Sequence, residues 1–93
     1  MTLEQLRIFI AVAERQHMTR AAQALNITQS AASAAIAALE ARHDARLFDR
    51  VGRGLTLNPA GQAVLNTFRG MRNSMAVLSR ELDELRLGSS GKL

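Results

Sequence analysis

The side chains best suited to binding chemistry fall in two short clusters of the sequence. The first cluster contains Gln29, Ser30 and Ser33. An amide pairs with adenine through N6 and N7, whereas a hydroxyl hydrogen-bonds to either base type or to a phosphate. The second cluster contains Arg50 and Arg53, one on each side of a glycine. Arginine on such a turn reaches phosphates or enters a minor groove, so both clusters indicate a nucleic-acid ligand.

Catalytic and metal-binding groups form no comparable cluster. His17 and His43 each lack a second ligand at metal spacing, and the sequence has no cysteine. Ser30 and Ser33 have no neighbouring base that would activate them as nucleophiles. No glycine-rich phosphate loop follows a strand. The sequence therefore predicts that the chain is not an enzyme and that it uses no metal, no cofactor and no small-molecule effector.

The composition agrees with one small basic domain. The 93 residues carry a formal net charge of +4, and eleven of the twelve basic residues are arginine. No apolar run approaches the roughly 20 residues that span a bilayer. Glu4 and Arg7 interrupt the first apolar stretch, which removes the apolar core that a signal peptide needs. We therefore expect a single domain, without a membrane partner, in the cytoplasm.

Three helices are predicted in the first half of the chain. A capping pair and apolar residues at helical spacing predict the first over Leu3–Arg15. The second spans Thr19–Leu25, and Asn26-Ile27 forms the turn after it. Thr28 is a favourable N-cap for a third helix over Gln29–His43. Two helices joined by a tight turn can present the second of them to the DNA major groove; the alternative is a helical hairpin that only packs.

A small hairpin is predicted next along the chain. Leu47–Arg50 and Leu55–Leu57 are short extended segments, and the glycines of Val51–Gly54 allow a tight turn between them. Arg50 and Arg53 are predicted at its tip. The alternative is an ordinary solvated turn, but its position directly after a helix–turn–helix favours contact with DNA.

The last predicted helix is too long for the domain that precedes it. Asn58 and Pro59 are favourable first residues, and a helix over residues 59–87 would be about 43 Å long. Its apolar residues alternate spacings of four and three, the heptad pattern of helices that pair with another chain. The predicted dimer interface contains Val64, Phe68, Met71, Met75, Leu78, Leu82 and Leu85. The alternative is that this stripe packs against the first helix of its own chain.

Together these elements predict a mostly α fold. It is a winged helix–turn–helix, with a three-helix core and a small β-hairpin wing, followed by a long C-terminal helix. We place the DNA-binding domain at residues 1–58 and the linker helix for homodimerisation at residues 59–87. Residues 88–93 are expected to form a flexible tail, with a cloning scar as one hypothesis for its origin.

Five runs of the sequence resemble one family, the LysR-type transcriptional regulators. They are Leu6–Glu14, Met18–Leu25, Thr28–Ser33, Leu47–Arg50 and Leu57–Gly61, and Ile36, Leu39-Glu40 and Arg53-Gly54 match the family as well. The resemblance implies a DNA-binding domain that dimerises through antiparallel linker helices, in a longer tetrameric regulator that binds an inverted repeat. It also implies a C-terminal effector-sensing domain in that regulator. This chain is then expected to be a DNA-binding fragment or a natural truncation.

The resemblance also implies roles for individual residues. Gln29 and Ser33 match positions that contact bases or nearby phosphates. Thr19 and Thr28 match positions that approach the DNA backbone. Arg53 matches a wing residue that reaches a groove, and Arg50 matches another wing position.

The sequence departs from the family pattern in three places. Ser30 stands where proline is common, His17 stands where serine is common, and Ala34 and Ala35 stand where longer polar residues are common. The methyl group of Ala34 can touch a thymine methyl group but donates nothing to guanine.

The function predicted from these residues is sequence-specific binding of double-stranded DNA by a homodimer, used to control transcription. Two alternatives remain open: a helical dimerisation module with incidental basic charge, and a non-specific architectural DNA binder. The absence of arginine and lysine from the first three turns of the third helix favours A·T pairs in the half-site.

Overall fold

The computed structural model describes residues 1–88, which form a mostly helical fold with one two-stranded hairpin. Its elements are α1 (Leu3–Arg15), α2 (Met18–Leu25), α3 (Gln29–Arg42), β1 (Phe48–Val51), β2 (Gly54–Leu57) and α4 (Pro59–Asp83). A π-helical turn, Glu84–Gly88, continues α4. The predicted fold class and element order are therefore confirmed. The predicted tail at 88–93 lies outside the described residues except for Gly88.

Local hydrogen bonds explain where the helices begin. The hydroxyl of Thr2 accepts the backbone N–H of Gln5, and the side chain of Gln5 accepts the N–H of Thr2, which completes the predicted capping box. The hydroxyl of Thr28 accepts the N–H of Ala31 at 3.0 Å. Each cap satisfies a backbone donor that has no partner within the helix, so α1 and α3 begin at the predicted residues.

The second helix begins one residue earlier than predicted, at Met18. Its N-cap is His17, whose Nδ1 accepts the backbone N–H of Arg20 at 3.2 Å. Histidine is not among the favoured N-cap residues, so the prediction placed this residue in a break between helices. The imidazole nitrogen supplies the acceptor that a serine oxygen would supply elsewhere.

All three phenylalanines meet in the core. Phe9 is completely buried and lies between Phe48 of β1 and Phe68 of α4. The ring centroids are 5.3 Å apart for Phe9 and Phe48 and 5.8 Å apart for Phe9 and Phe68, the second pair in an edge-to-face arrangement. Such pairs contribute about 0.5–1.5 kcal/mol beyond their buried area. The cluster therefore joins the first helix, the wing and the long helix.

The hairpin is antiparallel; β1 lies one residue later than predicted, and β2 begins one residue earlier but ends at Leu57 as predicted. Phe48 pairs with Leu57 and Arg50 pairs with Leu55. The turn contains Gly52, whose φ of +61° is left-handed and therefore favours glycine. Arg53 lies beside it in the turn, as predicted. Arg50 does not lie at the tip, because the strand continues through it to Val51.

The long helix is buried at its start and exposed along its second half. Gly61, Leu65 and Phe68 are buried against the body, and Val64 is half-buried against the core. Phe68, predicted for the dimer interface, is 6 % exposed in the single chain and packs on Phe9, so most of its surface is covered within its own chain and its place in the interface stays a prediction. The spacing of apolar residues identified the correct helix face but not the group that covers each part of it.

Beyond the body the stripe is uncovered. Its exposed members are Met71, Met75, Leu78, Leu82 and Leu85, the last of them 67 % exposed. The projecting helix makes the molecule 57 Å long and only 26 Å and 21 Å across. Within residues 1–88, no helix combines the length and apolar character that crossing a bilayer requires.

Candidate nucleic-acid interface

The second and third helices form a compact helix–turn–helix. Ala21 and Ala22 of α2 and Ala32 of α3 are buried in the core, where small side chains let helices approach closely. Asn26 ends α2 with a left-handed φ of 58°, which asparagine tolerates better than most residues. The N–H of Ile27 then donates to the carbonyl oxygen of Ala22. This turn fixes the direction in which α3 begins.

The start of the third helix presents polar side chains to solvent. Thr28, Gln29 and Ser30 are exposed, and Ser33 is half-buried one turn later. The hydroxyl oxygen of Thr28 accepts the capping bond, but its hydrogen remains available as a donor. The predicted cluster therefore lies together on one accessible end of α3.

Between Ser33 and Arg42, the exposed surface of the third helix is formed by alanine. Ala34 is exposed, as its predicted role requires, and so are Ala31, Ala37, Ala38 and Ala41. None of these side chains donates or accepts a hydrogen bond, so the face offers methyl groups only. Sequence reasoning missed Ala31 and Ala38, although their i+3 and i+7 spacing from Thr28 and Ala31 could have placed them on this face.

The wing arginines are exposed and carry no acidic partner. No carboxylate in the described part of the chain forms an ion pair with Arg50 or Arg53. The arginines near α1 and α4 differ: Arg69 and Arg72 both lie within 3.4 Å of Glu14. The positive charge of the wing is therefore left to attract an anion.

A similar pair lies at the start of the first helix. Arg7 donates to the carboxylate of Glu4 at 2.8 Å. This hydrogen bond from the Arg7 guanidinium holds the pKa of Glu4 below its usual value. Since both side chains are exposed, the pair adds little to stability.

A shallow cleft separates the helix–turn–helix from the wing. Arg46 and Arg50 line it together with Met18 and Glu40. The carboxylate of Glu40 accepts the backbone N–H of Leu47 at 2.8 Å, which ties α3 to the segment that leads into β1. Arg46 was missed by sequence reasoning, although it lies four residues before Arg50 in a basic segment.

The two remaining predicted positions lie at the start of the second helix. Thr19 is half-buried in the first turn of α2, and Arg20 beside it is exposed. Sequence reasoning missed Arg20. Its exposed guanidinium places a further positive charge at the helix–turn–helix.

Comparison with known proteins identifies this arrangement. The model of the bacterial regulatory helix-turn-helix proteins of the lysR family matches residues 3–62. The chain belongs to the LysR family. An HTH-type transcriptional regulator from the ibpB-leuC intergenic region of Azotobacter vinelandii is 41% identical over 93 residues, which are 100% of this chain and 65% of that relative. The SDS degradation transcriptional activation protein of a Pseudomonas species is 40% identical over 91 residues, which are 98% of this chain and 30% of that relative.

A solved structure of this family shows the same fold. The DNA-binding domain of CbnR, crystallised in complex with DNA, superposes with a TM-score of 0.77 at 35% sequence identity. The match covers 96% of this chain and 99% of that chain. The curated relatives are longer, since this LysR-family chain spans between about a third and two thirds of the two described above.

Proposed function

We propose that this LysR-family chain binds double-stranded DNA with sequence specificity, as a homodimer that regulates transcription. The observation that carries the proposal is the exposed polar start of α3, with Gln29 and Ser30, next to wing arginines that have no acidic partner. The proposed role is non-enzymatic, and its place is the cytoplasm, where bacterial DNA lies.

The geometry supports different roles for α3, which would contact bases, and for the wing, which would contact phosphates or the minor groove. The major groove of DNA is wide enough for one helix and displays a different donor and acceptor pattern for each base pair. The amide of Gln29 would hydrogen-bond to adenine, and Ser30 and Ser33 to a base or a phosphate. Arg53 would reach a phosphate or the minor groove from the wing. Thr19, Thr28 and Arg50 would contact the DNA backbone.

Relatives with known assignments support this proposal. CbnR, whose DNA-binding domain shares the fold, was crystallised with DNA. The Pseudomonas relative is a transcriptional activation protein. We propose that residues 1–58 form the DNA-contacting domain and residues 59–87 the linker helix of such a regulator. A full-length regulator of this kind would assemble as a tetramer.

The uncovered half of α4 supports the homodimer. Met71, Met75, Leu78, Leu82 and Leu85 form one exposed apolar stripe. At its inner end the stripe borders a groove of about 230 Å³ between α1 and α4. Side chains of Leu3, Leu6 and Ile10 line the α1 side of this groove. A second copy of α4 would cover both surfaces.

The groove favours an antiparallel pair. If two copies of α4 cross at Leu78 in opposite directions, Leu82 of one copy faces Met75 of the other, and Leu85 faces Met71. The end of each helix then reaches the groove of its partner. A parallel pair would instead set Met71 against Met71 of the partner and bring the two domain bodies together at the grooves.

The orientation can be tested by cysteine pairing, because the chain contains no cysteine. We expect a mixture of Met71→Cys and Leu85→Cys chains to form a disulfide-linked dimer on mild oxidation, and Leu85→Cys alone to remain unlinked. A disulfide needs Cα atoms about 4.4–6.8 Å apart. Efficient linkage of Leu85→Cys to itself would contradict the antiparallel pair and indicate the parallel one.

Selection of binding sites from random DNA tests the proposed function. We expect the recovered sequences to contain an inverted repeat whose half-sites are rich in A·T pairs, because α3 offers one adenine-pairing amide and methyl groups but no arginine before Arg42. A G·C-rich half-site would contradict the roles given to Gln29 and Ala34. Recovery without any shared sequence would favour a non-specific architectural binder.

The wing predicts a sequence-independent loss of affinity. We expect Arg53→Ala to weaken binding to most duplexes and to lower the slope of log affinity against log salt by about one. If Arg53 enters the minor groove, the loss will be larger on narrow A·T tracts. The matched control is Arg69→Ala, which removes the same charge from a side chain paired with Glu14. Equal salt slopes for Arg53→Ala and the unsubstituted protein would exclude a phosphate contact by Arg53.

A further inference from the structure

One side chain both begins α4 and ties it to the base of the wing. The Oδ1 of Asn58 accepts the backbone N–H of Gly61 at 2.8 Å. Its Nδ2 donates to the carbonyl oxygen of Arg46 at 2.7 Å. The backbone N–H of Asn58 donates to the carbonyl oxygen of Leu47 at 3.1 Å. The first turn of α4 is therefore hydrogen-bonded to the segment that leads into β1.

Gly61 brings the helix against the same segment. It is buried, and a Cβ atom at this position would clash with the carbonyl oxygen of Leu47 and lie 2.6 Å from the Cδ2 of Leu57. Any side chain would push the helix away from the wing. Gly70, nine residues further along α4, has open space where its Cβ would lie. Close approach therefore explains the glycine at 61 and not the glycine at 70.

These contacts lie at the N-terminal end of α4, and the rest of the helix projects away from them. The exposed stripe begins at Met71 and extends through Leu85. Because a helix rises 1.5 Å per residue, a rotation of about 10° at the root moves a point 20 residues away by roughly 5 Å. A small change in the direction of α4 at Asn58 or Gly61 therefore produces a large displacement of the residues that form the proposed dimer.

We infer that Asn58 and Gly61 are positioning residues that fix the angle between α4 and the DNA-contacting face. In the dimer this angle sets the separation of the two α3 helices. Helix–turn–helix dimers bind half-sites separated by about one helical turn, 34–36 Å, or its multiples. Asn58 and Gly61 thereby select the spacing of the half-sites, although neither needs to touch a base. The inference rests on the proposed dimeric DNA-binding function.

The separation of the α3 helices can be measured without DNA. A spin label on Ala41→Cys, an exposed position near the end of α3, reports the distance between the two protomers of the otherwise cysteine-free dimer. We expect a narrow distribution in this background and a broader one when Asn58→Ser is added. Serine keeps the N-cap, but its shorter side chain does not reach the carbonyl of Arg46. Gly61→Ala is expected to shift the mean distance, whereas the control Gly70→Ala leaves it unchanged.

Binding to spaced half-sites gives the second measurement. Duplexes carrying two selected half-sites, with the spacing varied in single base pairs, should show a sharp optimum for the unsubstituted chain. Asn58→Ser is expected to lower the preference for the best spacing by roughly two- to tenfold, the effect of one hydrogen bond. Affinity for a single half-site should stay within about twofold, since the DNA-contacting face is unchanged.

Three outcomes would decide against these proposals. Unchanged distances and spacing preference in both Asn58→Ser and Gly61→Ala would overturn the positioning role. A folded Asn58→Ser variant that loses single-half-site affinity instead would also overturn it, because the residue would then act on the DNA-contacting face itself. If the labelled protein with Asn58 and Gly61 intact shows no distance between protomers, the proposed dimer is contradicted, and the selection of half-site spacing falls with it.

Discussion

Replacing Leu78 with Asp is expected to separate the proposed dimer and to lower affinity for a two-half-site operator by about 10²–10⁴-fold. Leu78 lies at the centre of the exposed stripe of α4 and is 54 % exposed in the single chain. Antiparallel pairing would bury it against its own copy, so the substitution places two carboxylates in an apolar interface. The effective cost is several kcal/mol per ion, and each 1.4 kcal/mol raises the dimer dissociation constant tenfold.

Sedimentation of the Leu78→Asp protein at concentrations where the unsubstituted chain is dimeric gives the first measurement. The matched control is Asn73→Asp, which adds the same charge to an exposed position off the stripe and should leave the dimer intact. A Leu78→Asp chain that remains dimeric would contradict the proposed interface. An unsubstituted chain that is monomeric at about 100 μM would also contradict it. A dimer with a dissociation constant near 1 μM, which corresponds to about −8 kcal/mol, would be mostly associated at that concentration.

Loss of the Gln29 amide is expected to produce the second large effect, a loss of specificity rather than of general affinity. Gln29 is the one exposed side chain on the first turns of α3 that can pair with a base through two hydrogen bonds. Gln29→Ala should cost about 1–3 kcal/mol on the selected operator, and much less on random DNA. The measurement is the ratio of the two affinities at one salt concentration.

Two further variants sharpen the test of the third helix. Gln62→Ala removes the same amide from an exposed position on α4 and should leave the affinity ratio unchanged. Ala34→Arg adds a guanidinium to the methyl face and should shift preference towards guanine at one position. A Gln29→Ala protein with unchanged discrimination would rule out base contact by this residue.

Helix starts were the part of the fold most accessible from the sequence. Thr2, Thr28 and Asn58 each accept a backbone N–H three residues ahead, so the information that begins these helices is local. His17 performs the same function at α2 but is an unusual cap, which explains the error of one residue there.

Long-range contacts were less accessible. The heptad spacing identified one face of α4, but Phe68 packs on Phe9, a residue far away in the sequence. Spacing alone does not tell which chain covers a given part of a stripe. The fit of Gly61 against the Leu47 backbone also depends on a tertiary approach that no local pattern specifies.

The sequence predicted which residues of the candidate site are exposed, but it misplaced one of them. Gln29, Ser30 and Arg53 are accessible as expected, whereas Arg50 lies in a strand rather than at the tip of the wing. The difference arises because β1 and β2 remain paired as far as Val51 and Gly54, which places Arg50 within the strand. The DNA contacts of these residues and the dimer interface remain predictions.

The most direct test of sequence-specific DNA binding is competition at physiological salt. A labelled duplex carrying the selected operator, bound by the unsubstituted chain, is challenged with the same duplex unlabelled and with a scrambled duplex of equal length and composition. Specific binders prefer their sites by about 10³ or more, so the operator should displace the label at concentrations about a thousandfold lower than the scrambled duplex. Equal potency of the two competitors would contradict sequence-specific binding and indicate an architectural binder. Absence of binding even at low salt would indicate a dimerisation module.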